Sequence, residues 1–303
     1  MFVYDELTKA ESETAIALGF FDGVHRGHRA VISRAVEERN KGLLPTVLTF
    51  SVNEIEPASK RGMKKILTKR LFLQTMEELG VELIEMPPFE KIMNLSPREF
   101  VTEILCRCLK AKVIVCGRDF RFGKNAAGDL SLLEELCKEY GLRLEAVAQL
   151  LDAGEPISST RIRQCLADGA IETASWLLGY PYSFDFEVAH GNELGRTIGI
   201  PTINQIFPIH YLVPRFGVYA SYTYLNGVRY KSITNVGVKP TIKGNRLPLA
   251  ETHIMGVDDR LYGKNIKVSL VKFIRPEKKF NSFEELTAEI RANINLIKDG
   301  LID

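Results

Sequence analysis

Two histidines three residues apart, His25 and His28, lie in a glycine-rich run, Gly19-Phe20-Phe21-Asp22-Gly23-Val24-His25-Arg26-Gly27-His28. Glycine lets the backbone approach a phosphate closely, and the first turn of a helix carries free N–H donors. Imidazole donors beside such a helix end would stabilise the charge that builds on a phosphate during nucleotidyl transfer. Taken alone, the pattern is equally a glycine turn with two solvated histidines. A second candidate phosphate site is Pro156–Arg163, PISSTRIR, where hydroxyls, backbone N–H groups and two guanidinium groups come together at a helix start. Its plainer reading is a Ser/Thr helix cap with surface arginines.

The second half of the chain carries a different set. Gly191–Asn204 reads GNELGRTIGIPTIN, with Gly191, Gly195 and Gly199 around Arg196. A glycine-rich loop permits approach to a diphosphate, and the Thr202 hydroxyl and Asn204 carbonyl are hard oxygen donors of the kind Mg²⁺ accepts. A barrel corner bent at Gly and Pro would read the same way. Further on, Glu251 falls in an alternating stretch, where an inward-facing carboxylate needs a reason to be buried. Such a carboxylate could take the proton of a hydroxyl as phosphoryl is transferred, or simply face water. His253, two residues on, points to the same side and reads as a packing or rim residue.

The elements that would position these residues follow from periodicity. In the first half, β-rich runs (Thr14–Leu18, Pro45–Phe50, Val113–Cys116) alternate with helical ones (His28–Asn40, Ser96–Leu109, Leu130–Tyr140). That alternation predicts a parallel sheet covered by helices. A helical stretch, about Thr160–Leu178, ends at Gly179-Tyr180-Pro181. Short alternating runs then appear at Phe184–Val188, Val218–Tyr224, Tyr230–Asn235, Glu251–Met255 and Ile266–Phe273, with a turn at Asn226-Gly227. They predict an antiparallel barrel or sandwich. A last helix over Ser282–Ile297 opens with a capping box, Ser282 and Glu285. The change of texture places a boundary near Pro181–Ser183, giving domains 1–182 and 183–303.

Composition narrows the function classes. The 303 residues are 45% hydrophobic and 26% charged, which excludes disorder and a small disulfide scaffold. A net charge of +2 gives no basic field for nucleic acid, and the single tryptophan, Trp176, sits in an apolar helical stretch. The five cysteines, Cys106, Cys108, Cys116, Cys137 and Cys165, include no C-x-x-C pair and read as reduced thiols. No apolar run approaches the roughly 18 residues of a membrane span. The expectation is a cytoplasmic protein with no nucleic-acid or membrane partner.

Taken together, the two phosphate motifs of the first half resemble the H-I-G-H class of nucleotidyltransferases. The likeness tightens with Cys116-Gly117-Arg118-Asp119-Phe120-Arg121-Phe122-Gly123, Gly128-Asp129, Leu79-Gly80-Val81 and Pro97–Phe100, all in the order of bacterial FAD synthetase, the bifunctional riboflavin kinase/FMN adenylyltransferase family. In the second half, Pro201-Thr202-Ile203-Asn204, Gly217-Val218-Tyr219-Ala220, Thr234–Thr241, Glu251-Thr252-His253, Leu261–Lys264 and Arg275–Phe280 follow the riboflavin kinase order. The resemblance implies a Rossmann-like nucleotidyltransferase domain followed by a β-rich, riboflavin kinase-like barrel with a C-terminal helix. It implies conversion of riboflavin and ATP to FMN, then of FMN and ATP to FAD and pyrophosphate, both with Mg²⁺.

Residue by residue, the resemblance implies that His25 and His28 meet ATP phosphates, with Gly19, Phe21, Asp22 and Gly23 around them. Asn125 and Asp129 would line the nucleotide, Phe120 and Phe122 the flavin, and Ser159, Thr160 and Arg163 would close on the triphosphate. In the kinase half, Gly191, Gly195 and Gly199 would face ATP, Thr202 and Asn204 would hold Mg²⁺, and Glu251 would be the base. The chain departs from the family where Val52-Asn53-Glu54 replaces Pro-His-Pro, and at Phe20, where Asn is frequent. The first departure motivates an alternative, a live kinase with a weakened or retuned adenylyltransferase. A non-enzymatic flavin or nucleotide sensor is the other alternative, against which Thr202, Asn204 and Glu251 stand. Oligomeric state is left open.

Overall fold

The computed structural model of the chain describes all residues except 52–56, 58–61, 192–193, 241–245 and 303. Val52, Asn53 and Glu54 therefore lie outside the described residues. Packing divides the chain into two compact units, Met1–Met63 with Phe72–Ile157, and Lys64–Leu71 with Ser158–Asp303.

The first unit holds a six-stranded parallel sheet. Its strands are β1 (Phe2–Tyr4), β2 (Thr14–Leu18), β3 (Leu44–Leu48), β4 (Leu83–Glu85), β5 (Ala111–Gly117) and β6 (Arg143–Val147), in the order β1-β4-β3-β2-β5-β6. Every residue of β2 is buried, which is why it reads as an unbroken apolar run rather than an alternating one. From β2 the chain moves to β3 on one side and later to β5 on the other, so the order reverses at β2. The carboxyl end of that strand is where open α/β sheets bind ligands.

Around the sheet run α1 (Arg26–Glu37), α2 (Lys69–Glu78), α3 (Pro97–Glu99 continuing through Phe100–Cys108) and α4 (Leu130–Glu139). Leu105, Leu133 and Leu136 pack on Ile16, Ile114 and Cys116 to form the core. Ser96 caps α3 in a full capping box with Glu99, and Pro97 takes the first turn. Unlike the sequence expectation of a plain helix, Phe100–Cys108 is wound as a π-helix. Nine residues are too few for apolar spacing to separate that winding from an α-helix. A short hairpin, β7 (Leu151–Asp152) with β8 (Glu155–Pro156), closes the unit.

The second unit opens with α5 (Ser159–Asp168) and α6 (Ile171–Leu178). A seven-stranded antiparallel sheet, curled as a half-barrel, follows: β9 (Ser183–Phe184), β10 (Val188–Ala189), β11 (Ile203–Ile206), β12 (Gly217–Leu225), β13 (Val228–Pro240), β14 (Arg246–Ile254) and β15 (Lys267–Arg275). Their order is β10-β11-β14-β13-β12-β15-β9. A four-residue helix, α7 (Leu194–Thr197), precedes β11, and α8 (Phe283–Leu296) runs on into a final π-wound segment, Ile297–Leu301. Asn226 and Gly227 turn β12 into β13 with φ of 50° and 79°, the left-handed pair a two-residue hairpin needs.

The two faces of the curled sheet differ in chemistry. One carries Ser221, Thr223, Ser232, Thr234 and Thr252, all fully buried. Their hydroxyls bond one another, with Ser221 to Ser232 at 2.8 Å and Thr234 to Thr252 at 2.9 Å, so the buried polar groups are satisfied. The other face packs Val218, Ala220, Tyr222 and Ile233 against Ile294 and Ile297. Ser282 caps α8 by accepting the Glu285 N–H at 3.1 Å, while the Glu285 carboxylate takes the N–H of Asn281 rather than that of Ser282.

Packing divides the chain earlier than the texture does. Helices α5 and α6 belong with the curled sheet: the Arg215 N–H donates to the Leu166 carbonyl (2.9 Å) and its guanidinium to the Asp168 carbonyl (3.0 Å). Residues 64–71 join them through Lys65, whose N–H donates to the His210 carbonyl at 2.8 Å, and through Arg70 and Thr68, both bonded to the buried Asp185 carboxylate. Sequence texture reports the kind of element, and it does not report what an element packs upon.

Candidate functional site

The glycine-histidine run occupies the carboxyl end of β2, the switch point of the parallel sheet. His25 is the N-cap of α1: its Nδ1 accepts the backbone N–H of His28 at 3.2 Å. In a neutral ring an accepting Nδ1 places the proton on Nε2, leaving that nitrogen as a donor. The His25 and His28 rings stack with centroids 3.6 Å apart, and Phe21 meets His28 edge-on at 5.3 Å. A Cβ at Gly27 would come within 3.2 Å of the His25 ring, and one at Gly19 within 2.8 Å of the Phe21 ring. Those two glycines permit the packing of the histidine pair.

The loop between them is strained. Phe21 (φ 53°) and Val24 (φ 35°) are left-handed, and Val24 is a fully buried β-branched residue. Such conformations cost of order 1–3 kcal/mol each and persist where packing over-determines them. Arg29 donates from Nε to the Val24 carbonyl at 3.2 Å, which helps to hold the turn. Asp22 is half-buried beside it. Phe20 joins Phe50 and Phe89 in a chain of rings with centroids 5.1 Å apart, beyond the ends of β2 and β3.

Past β5, Gly117–Asp129 forms a looped segment. Phe122 is a core residue, packed on Phe100 at 5.5 Å and paired through its backbone with Gly128. A Cβ at Gly128 would lie 2.6 Å from the Phe122 ring. Phe120 is half-buried and stacks on Phe122 at 5.8 Å. Asn125 is exposed with φ of 56°. Asp129 is the N-cap of α4, accepting the Leu132 N–H at 3.0 Å, and lies 3.6 Å from Arg121.

The hydroxyl-arginine run lies in the second unit, at the start of α5. Ser158 is the cap, accepting the Arg161 N–H at 3.2 Å, and Ser159 and Thr160 begin the first turn after it. Arg163 donates from Nε to the Lys64 carbonyl at 3.0 Å.

The half-barrel carries the remaining set, and strand register assembles it. Asn204 on β11 lies directly across from Glu251 on β14, which lies directly across from Asn235 on β13. Directly paired residues hold their side chains on one face about 5 Å apart. The glycine loop fits around this row. A Cβ at Gly191 would overlap the Asn204 side chain, and one at Gly195 would overlap the Ile200 carbonyl while standing 3.6 Å from the Thr202 hydroxyl. Gly199 has φ of 73° and open space around it, so its role is the turn itself. The Thr202 hydroxyl and Asn204 carbonyl are hard oxygen donors that suit Mg²⁺ with several waters retained, and the Glu251 carboxylate stands across from Asn204. No group of three or more His, Cys, Asp or Glu able to hold a metal occurs among the described residues.

Two residues at this site were not legible as site residues. Asn235 sits in the quoted Thr234–Thr241 run, yet only pairing reveals that it faces Glu251. His253 bonds through Nδ1 to the Pro201 carbonyl at 2.8 Å, and burial lowers its pKa. The five cysteines are free thiols, as expected, and burial pushes Cys116 up to about 12.

Comparison with known proteins covers both units. Residues 7–161 match the FAD synthetase family model and residues 178–301 the riboflavin kinase model. The bifunctional riboflavin kinase/FMN adenylyltransferase of Escherichia coli K12 is 38% identical over 294 residues, covering 94% of this chain and 92% of that protein. The protein of the same name from Bacillus subtilis is 35% identical, covering 94% and 91%. A solved structure described as a macrolide-efflux protein from Streptococcus pneumoniae has a TM-score of 0.86 at 28% identity, covering 97% of each chain. Among the described residues no helix is long and apolar enough to cross a membrane.

Proposed function

The chain belongs to the bifunctional riboflavin kinase/FMN adenylyltransferase family, and from that premise we propose which of its residues carry each reaction. The enzyme makes FAD from riboflavin in two ATP-dependent steps, phosphorylation to FMN and adenylylation of FMN, with Mg²⁺. Its substrates are the small molecules riboflavin, FMN and ATP. The kinase reaction belongs to the half-barrel and the adenylyl transfer to the parallel sheet, their motifs dividing in sequence at 1–182 and 183–303 although α5 and α6 pack with the curled sheet. Its place of work is the cytoplasm. Matches to both family models favour neither a kinase with a retuned partner nor a sensor.

The observation that carries the kinase assignment is the paired row Asn204, Glu251 and Asn235 under the glycine loop. Riboflavin's 5′-hydroxyl is a poor nucleophile until its proton is accepted. Glu251 takes that proton as the oxygen bonds to the γ-phosphorus and ADP leaves. Gly191, Gly195 and Gly199 let the backbone come close to the ATP phosphates. Thr202 and Asn204 hold Mg²⁺, which when bound neutralises phosphate charge.

In adenylyl transfer, an FMN phosphate oxygen attacks the α-phosphorus of ATP and pyrophosphate leaves. The nucleophile is already ionised, so the chain has to orient and stabilise rather than deprotonate. His25 and His28 donate to the phosphates at the N-terminus of α1, with Gly19, Asp22 and Gly23 shaping the approach. Phe21 acts from beneath, as the buried ring against which His28 rests. Ser159, Thr160 and Arg163 bind the leaving phosphates. Asn125 and Asp129 border the nucleotide. Phe120 offers its ring to the flavin, supported from the core by Phe122.

The glycine loop gives a direct test. Gly195→Ala places a methyl against the Ile200 backbone carbonyl, which cannot swing aside as a side chain would. We expect FMN formation to fall by about 10²-fold, the size of effect that a roughly 1 Å misplacement produces. FAD formation from supplied FMN should stay at the wild-type rate. Steady-state assays of each half-reaction decide it, and unchanged FMN formation would remove the loop from the kinase site.

A further inference from the structure

The pairing of β11 with β14 includes Asn204 but ends one residue short of Thr202, the other member of the metal-binding pair. Ile203 pairs with Thr252 and Asn204 with Glu251. Continued by one residue, the same register would set Thr202 across from His253. The ladder stops there, and Pro201, just before it, has no N–H to offer. The His253 imidazole occupies this break. Its Nδ1 meets the Pro201 carbonyl at 2.8 Å, across 52 positions of sequence. A carbonyl only accepts, so Nδ1 carries the proton and the imidazole is the donor. The ring is half-buried on the same face of β14 as Glu251, two residues away.

We propose that His253 is a positioning residue for phosphoryl transfer. Its imidazole replaces the missing backbone pair and fixes the Pro201–Asn204 turn to the strand that carries Glu251. The metal-binding side chains and the base thereby share one rigid support. Without the imidazole, the Pro201–Thr202 stretch would lose its tie to β14 and be held only from its two ends, by Ile203 in the ladder and by buried Ile200, whose N–H donates to the Gly195 carbonyl at 2.8 Å. The inference rests on the kinase reading above for its functional consequence, but its structural half stands on the hydrogen bond alone.

Two substitutions separate the donor from the bulk of the ring. His253→Leu removes the donor and keeps an apolar group of similar size. His253→Asn keeps a donor close to the place of Nδ1. The first readout is hydrogen exchange of the amides at 202–206 in the metal-free enzyme. The second is the Mg²⁺ concentration that half-saturates FMN formation. For His253→Leu we expect faster exchange and a Mg²⁺ requirement raised about tenfold, the usual scale for losing a group that orients a metal ligand. For His253→Asn both should lie within about threefold of wild type, as expected where the orienting donor is kept. Wild-type exchange and Mg²⁺ dependence in a folded Leu variant would overturn the proposal. So would equal losses in the Leu and Asn variants, which would mark a packing role. If the Leu variant does not fold, the Asn variant decides alone: wild-type values support the role, and a raised Mg²⁺ requirement overturns it. Absence of FMN formation by the wild type would defeat the kinase reading instead, with the exchange data still bearing on the imidazole.

Discussion

Replacing Glu251 by Gln should cost the enzyme about 10²- to 10⁴-fold in FMN formation, the range a positioned general base contributes. Gln has the shape of Glu and keeps hydrogen-bonding capacity, so riboflavin and ATP should bind with little change. What it lacks is a site for the proton of the 5′-hydroxyl. Asn204 and Asn235, paired on either side of Glu251, cannot take that proton either. The loss should therefore appear in kcat and not in the KM for riboflavin. FAD formation from supplied FMN should be untouched. Full kinase activity in the variant would remove Glu251 as the base.

His28→Ala should have the mirror effect, with FAD formation falling about 10²- to 10³-fold and FMN formation preserved, as for removal of one donor to a developing negative charge. The substitution is clean at the level of the fold. The N-cap bond of α1 uses the backbone N–H of residue 28, which alanine keeps, so His25 retains its partner at 3.2 Å. The imidazole is lost, and with it the stack on His25 and the edge contact with Phe21. Pyrophosphate release measured with FMN and ATP reads the effect directly. Wild-type release would exclude the His28 ring from the reaction.

Much of this site was legible from residue types and spacing. The apolar run of β2 followed by glycines and two histidines could hardly be anything but a strand end opening into a helix, and it sits at the switch point of the sheet. The hairpin at Asn226-Gly227 and the cap at Ser282 were equally local, since a left-handed pair and a helix start are fixed by the residues themselves. Other features depend on partners far along the chain. Glu251 could be read as an oddly placed carboxylate, but that it shares a row with Asn204 and Asn235 is a property of strand pairing. His253 looked like a rim residue because nothing in its neighbourhood announces the Pro201 carbonyl. Phe122 and Asp129 lie in a motif shared with the family, yet their contacts are a core position and a helix cap. Helices α5 and α6 precede the change in texture and pack with the curled sheet, a grouping that only tertiary contacts reveal.

On the proposed assignment, two separable sites on one chain carry successive reactions. Mixing the Glu251→Gln and His28→Ala enzymes with riboflavin, ATP and Mg²⁺, and resolving riboflavin, FMN and FAD over time, tests it most directly. Each variant alone should make almost no FAD from riboflavin, the first stalling before FMN and the second accumulating it. The mixture should make FAD after a lag, as FMN formed on His28→Ala molecules is adenylylated on Glu251→Gln molecules. FAD from either variant alone at the wild-type rate, or none from the mixture, would contradict the claim.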